Sequence, residues 1–252
     1  MKKRIVLFVF VLLVLSTMLF AVGACNHKVE DIQDWVAAFE KTAVADNFTI
    51  NYSYRANSSL RFVEEGVESN ESSEEVRYVK IIYDFSNRKF YYEERYGIEN
   101  KDSKAINHDE AIRKVYIEVV GKQMVVYKYS KNNTAEQLWS ATSVSYETNG
   151  EVVDAFAVTC ASYYYTYLDL GLEMFYSQFS RTKSGKYTCK LTDTLTVTIG
   201  FAKDKIANYR LDTVETYELN GNRATSSSKA TCFIKYSGHV RIPNKIKKVL
   251  EQ

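Results

Sequence analysis

The sequence predicts an α+β domain: an antiparallel sheet packed on an N-terminal helix and a central helical segment. Twenty Tyr and 13 Phe stand beside a single Pro, a bias that suits pleated, half-buried strands. An apolar stripe of helical period over residues 32–43 gives way at Asn47 to alternation of period two, the signature of a strand with one buried face. Short turn-like connections then separate the apolar runs of the C-terminal part, which forces antiparallel neighbours. No strand–helix–strand alternation appears, which excludes a doubly wound domain.

The chain opens on MKKR, and from Ile5 to Ala24 carries no charge. Such a run is a secretion signal or a membrane span, and its length fits both. It closes on Val22-Gly23-Ala24-Cys25, an aliphatic residue and two small ones before a cysteine. This resembles the lipobox of bacterial lipoproteins. The resemblance implies that Cys25 is lipidated and becomes the first residue after cleavage, so that the membrane is a partner through Cys25. Two acyl chains, at about 0.8 kcal/mol per buried methylene, hold a protein stably. It also implies residues 1–24 as a lipoprotein signal peptide, 25–30 as a short tether, and 31–252 as one domain lipid-anchored on the outer face of the cell membrane. The alternative is an uncleaved signal anchor with a buried cysteine. Losing Lys2, Lys3 and Arg4 with the leader leaves 30 basic against 31 acidic residues. A near-neutral body has no basic footprint for nucleic acid.

Ile32, Trp35, Val36, Phe39 and Ala43 share one helical face, and Asp31 and Asp34 suit the positive end of the helix dipole. Phe48, Ile50, Tyr52 and Tyr54 begin the strands. Residues 76–85 and 89–96 flank Ser86-Asn87-Arg88, and residues 115–120 and 123–129 flank Gly121-Lys122, two hairpin signals. The acidic, Ser-rich residues 64–75 read as a hairpin tip, and residues 98–107 as a loop. Residues 168–180 have helical spacing, while the run from Tyr163 to Tyr167 fits either period. Residues 186–191, 195–201, 205–219 and 230–239 read as a four-stranded meander.

A lipobox, a short tether, a helix leading into Asn47-Phe48-Thr49-Ile50, paired strands, a central helical segment and a meander ending in Val240-Arg241-Ile242-Pro243 together resemble the lipoprotein-carrier fold of the LolA, LppX and LprG type. That family implies a curved, half-barrel-like sheet over an apolar pocket for acyl chains, hence a non-enzymatic protein that binds a hydrophobic or amphipathic ligand. Tyr163, Tyr165, Tyr167, Phe175 and Phe179, with Leu195, Val197, Ile199 and Phe201 of the sheet, are the candidate ligand-binding residues. The other reading is that these rings fill the core, as they do in any helix packed on a sheet. The chain is then an envelope module that binds another protein.

No catalytic, metal-binding or cofactor constellation stands out. His27, His108 and His239 lack metal-ligand spacing. Ser86–Lys89, Ser180–Lys183 and Ser226–Lys229 each match SxxK, but that chemistry needs the serine at the start of a buried helix with the lysine one turn on. Cys160, Cys189 and Cys232 leave an odd number outside the membrane, so one disulfide with a free thiol, or three buried thiols, are both open.

Overall fold

The computed structural model describes residues 31–64, 67–101, 106–219 and 222–251. The leader, Cys25, the tether and His27, like the side chain of His108, lie outside the described part.

Eleven antiparallel strands form one sheet in the order β6-β5-β4-β3-β2-β1-β11-β10-β9-β8-β7. They are β1 (Asn47–Glu64), β2 (Val67–Asp84), β3 (Lys89–Lys101), β4 (Ile106–Val120), β5 (Gln123–Asn132), β6 (Glu136–Ser145), β7 (Ser180–Arg181), β8 (Tyr187–Lys190), β9 (Leu195–Ala202), β10 (Lys205–Leu219) and β11 (Asn222–Lys235). Two meanders therefore meet where β1 pairs with β11, Ile50 opposite Ile234 and Tyr52 opposite Cys232. The turns fall where the sequence places them: Arg88, Gly121 and Lys203 adopt positive φ, and Asp84 holds the first turn by accepting from Asn87.

Helix α1 (Ile32–Ala43) is capped by Asp31, which accepts from the Asp34 N–H at 2.9 Å. Its buried face is Trp35, Ala38, Phe39 and Thr42; Ile32, placed in the stripe by the spacing, is exposed. The shift by part of a turn follows from Thr42. Its hydroxyl donates to the Ala38 carbonyl and accepts the Ile206 N–H at 2.9 Å, supplying a partner where the β9–β10 register slips between Ile206 and Asn208.

Helix α2 (Asn149–Leu168) carries a capping box, Thr148 with Glu151. It resolves the tyrosine run as helix. Because β6 and β7 are the opposite edges of the sheet, the connection between them has to cross the whole face, and α2 is that crossing. Val152, Phe156, Cys160, Tyr167 and Leu168 are its buried residues, while Tyr165 points out. The helical spacing over 168–180 is realised only as a 3₁₀ segment at Glu173–Gln178, beyond the positive-φ Gly171.

The helices bury one face of the sheet. The chain after β11 covers part of the other face, where Val240, Ile242 and Ile246 of the C-terminal segment, which includes the short helix α3 (Asn244–Lys247), pack on Val125 and Tyr127. Gly238 admits this crossing, since a Cβ there would lie 2.8 Å from the Phe48 carbonyl oxygen and 3.0 Å from that of Tyr83. His239, expected at the end of the last strand, lies instead in this segment, 3.3 Å from Asp84. The regions read as tip and loop, 64–75 and 98–107, are largely strand.

Candidate binding surface

The site expected under the sheet is filled. Val197, Ile199 and Phe201 are at most 2% exposed, Tyr167 is buried, and Tyr163, Phe175, Phe179 and Leu195 are packed around the same core. Trp35 occupies the space between the helices and the sheet, with ring centroids of Phe179 at 4.8 Å, Phe39 and Phe201 at 5.3 Å, Tyr176 at 5.6 Å and Tyr187 at 5.7 Å. Rings at these separations leave no room between them for an acyl chain. The candidate ligand-binding residues are thus brought together, but as core; Tyr165, 57% exposed, stands apart from them.

Beyond this core the sheet continues. On β1, Phe48, Ile50 and Tyr52 belong to the helix-covered face, and Ala56, Ser58 and Leu60 extend that face without being buried by any of the described residues. None of the residues 56–62, 69–75, 109–111, 213–218 and 222–228 is buried. Hydroxyls tie neighbouring strands here: Ser58 to Ser73 at 2.6 Å, Ser59 to Thr225 at 2.5 Å, and lower down Ser53 to Thr231 at 2.6 Å. A shallow hollow of about 550 Å³ is lined by Ser58, Leu60, Ser73, Asn100, Tyr217 and Ser226. A second, of about 390 Å³, takes in Asn57, Glu74, Thr216 and Ser227. The flanking charges are of both signs, with Arg55 on Glu74 at 3.1 Å and Arg223 on Glu218 at 3.5 Å.

At the level where α2 ends, a charged cluster separates core from projection. Register places Tyr52, Val79, Glu94 and Arg113 across β1 to β4. Glu94 is bound by Arg77 at 2.5 Å and by the Tyr92 hydroxyl at 2.8 Å, with Arg113 at 3.8 Å. The rings of Tyr167 and Tyr163 lie over Tyr52 and Tyr92, each pair 5.0 Å apart. Burial, then the neighbouring Tyr167, pushes the Tyr52 hydroxyl up to about 12, so it keeps its proton and can donate. Sequence reasoning missed Arg77, Glu94 and Arg113 because each is one charge in an alternating strand. The projecting Ser/Thr runs did carry a signal, polar residues on both faces of a strand, which went unread.

The SxxK copies do not assemble a nucleophile. Ser226 and Lys229 sit three apart on β11 and so point to opposite faces, Ser86 and Lys89 flank a turn, and Lys183 lies past the end of β7. Cys160, Cys189 and Cys232 are free and buried. Among the described residues no group of three or more His, Cys, Asp or Glu could hold a metal, and no helix is long and apolar enough to cross a membrane.

No family model and no curated protein matches the chain. Solved structures that match include the attachment invasion locus protein Ail of Yersinia pestis, with 6% identity over 75% of this chain and 99% of that one at a TM-score of 0.18. The translocator domain of the autotransporter NalP from Neisseria meningitidis has 10% identity over 79% and 98% at 0.20. Neisserial surface protein A has 7% identity over 74% and 96% at 0.16. These are outer-membrane β-barrel proteins and not LolA-type carriers. The carrier resemblance is corrected accordingly, and the filled core gives the physical reason. The lipid ligand falls with the pocket, and the lipobox reading, with Cys25 as a lipidated membrane partner, is corrected with it, Cys25 itself lying outside the described residues. At such TM-scores the likeness is one of many antiparallel strands and lends this chain nothing further.

Proposed function

We propose that the chain is a membrane-associated, extracytoplasmic binding module without catalytic activity, which holds another envelope protein on the projecting end of its sheet. Residues 5–24 carry it to the membrane, and residues 31–252 act as one domain whose sheet curls around the helices as a half-barrel. One observation carries the reading. The strands β1, β2, β10 and β11 keep their pairing to residues 60–64, 67–71, 215–219 and 222–226, although no residue there is buried among those whose burial is described.

Ordering a residue costs roughly 1–2 kcal/mol of backbone entropy, and here little apolar burial offsets it, Leu60 being 40% exposed and Tyr217 62%. A surface that departs from the economy of the rest of the fold is where function is sought. Its mixed charges and exposed Tyr217 suit a protein surface, since interfaces favour tyrosine over single-sign charge. The opposite facing of Ser226 and Lys229 on β11 supports the non-enzymatic part.

The test is co-sedimentation of residues 31–252 with isolated cell envelopes. Binding that is lost in the Ser58→Arg, Ser226→Arg double variant, and after protease treatment of the envelopes, is the expected result. Binding unchanged by the arginines would remove the projecting sheet as the interface; binding that survives protease would replace the protein partner by a polysaccharide.

A further inference from the structure

We propose that the cluster around Glu94 is a binding site for an oxyanion, a carboxylate or phosphate group, received by Arg113 and Arg77 with the hydroxyls of Tyr52, Tyr163 and Tyr167. The argument starts from the balance of donors and acceptors. Glu94 is 9% exposed and is the carboxylate that both arginines face. Its Oε1 is taken by Arg77 and its Oε2 by Tyr92. Arg113 at 3.8 Å is too far for a hydrogen bond, and its side chain is 62% exposed. One carboxylate thus neutralises one guanidinium, and the second is surplus.

The Arg77 Nε is buried and has no hydrogen-bond partner. An unmade bond of this kind costs about 1–3 kcal/mol, and few persist in folded proteins without a reason. The hydroxyls of Tyr52, Tyr163 and Tyr167 have no protein partner among the described residues either. Tyr167 lies within electrostatic reach of Arg77 and Glu94, and Tyr163 within reach of Arg113. Donors therefore outnumber acceptors on one side of the cluster, the side where α2 ends and the bare sheet begins. An oxyanion offers several acceptor lone pairs and one negative charge, which matches the surplus guanidinium and the idle donors. The arrangement does not depend on the projecting strands being an interface.

The probes are sodium phosphate and sodium acetate, each titrated against sodium chloride at equal ionic strength. The readouts are the melting temperature of residues 31–252 and the Nε–Hε resonance of Arg77 in a nitrogen–proton correlation spectrum. We expect saturable stabilisation by at least one probe, a shift of the Arg77 resonance along the same isotherm, and binding weaker by about tenfold in Arg113→Gln, the loss of one charge-assisted contact. Tyr163→Phe should weaken binding less, and Ser58→Arg not at all. Saturation by phosphate alone points to a phosphate group, and by both probes to a carboxylate-sized site. Absence of saturation with both, or saturation indifferent to Arg113→Gln and Tyr163→Phe, overturns the proposal.

Discussion

Removing the ion pair that joins Lys247 of the C-terminal segment to Glu118 of β4 has a calculable effect. Lys247 Nζ donates to Glu118 Oε2 at 2.7 Å, and the Tyr127 hydroxyl donates to Oε1 at 3.1 Å. Glu118 is 3% exposed, whereas the Lys247 side chain is 40% exposed. Lys247→Met keeps the stem that packs on the sheet and removes the charge, leaving a buried carboxylate with only a tyrosine. Breaking a fully buried pair costs about 3–5 kcal/mol. Water reaches the lysine side here, so the lower end applies, about 3 kcal/mol. For a domain of this size that is about 6–12 °C in Tm. Urea unfolding followed by tyrosine fluorescence should show a lower midpoint with an unchanged slope. Adding Glu118→Gln to Lys247→Met should recover part of the loss, because the remaining group is then neutral. A Lys247→Met protein within 1 kcal/mol of the parent, or a double variant no better than the single one, would refute the account of a buried carboxylate in need of its partner.

Other consequences are equally direct. Gly238→Ala forces a Cβ against the carbonyl oxygens of Phe48 and Tyr83 and should destabilise by about 1–3 kcal/mol, measurable in the same urea assay. Burial pushes the Cys232 thiol up to about 12 and raises that of Cys160 further; both should resist a thiol reagent at pH 8 in the native state and react on unfolding. Glu93 is subject to burial, which raises its pKa, but the Tyr91 hydroxyl, Arg95 and Lys114 outweigh this and hold it below the ordinary carboxylate value. Its contribution to stability is complete above that ordinary value and is lost as pH falls through the lowered one. Glu93→Gln should therefore flatten the acid limb of the stability profile.

Much of the fold was legible because periodicity and burial agreed. From Phe48 to Tyr54, from Leu195 to Phe201 and around Gly121, the alternation and the turn residues point to the structure that forms. The tyrosine run was ambiguous for a physical reason: in Tyr163-Tyr164-Tyr165-Thr166-Tyr167 nearly every position is amphipathic, so no period stands out. The position of the run between two sheet edges decides for helix, and that is a property of topology. The strand stretches at 69–75 and 98–100 were misread because none of these residues is buried, and hydrophobic pattern is silent where no face is covered. The candidate pocket failed on packing. Sequence can say that Phe175, Phe179 and Phe201 face a common space, but whether Trp35 stands in it is settled only in three dimensions.

The same distinction divides the sheet energetically and leads to a last prediction. Phe48 and Ile50 are fully buried, while the Ala56–Leu60 stretch of the same strand is held by backbone pairing and a few hydroxyl contacts. Each intramolecular hydrogen bond adds about 0.5–1.5 kcal/mol net, against roughly 1–2 kcal/mol per residue for ordering the backbone. The projecting end therefore borrows its order from the core and should open without global unfolding. In native-state hydrogen exchange, amides of residues 57–60 and 224–227 should exchange through local openings, several kcal/mol below the protection at Phe48 and Ile50. The gap should narrow when the binding partner is added. Equal protection along β1 in the isolated domain would mean that the projection is stabilised by something other than its pairing, and the argument that its surplus order exists for a partner would then lose its premise.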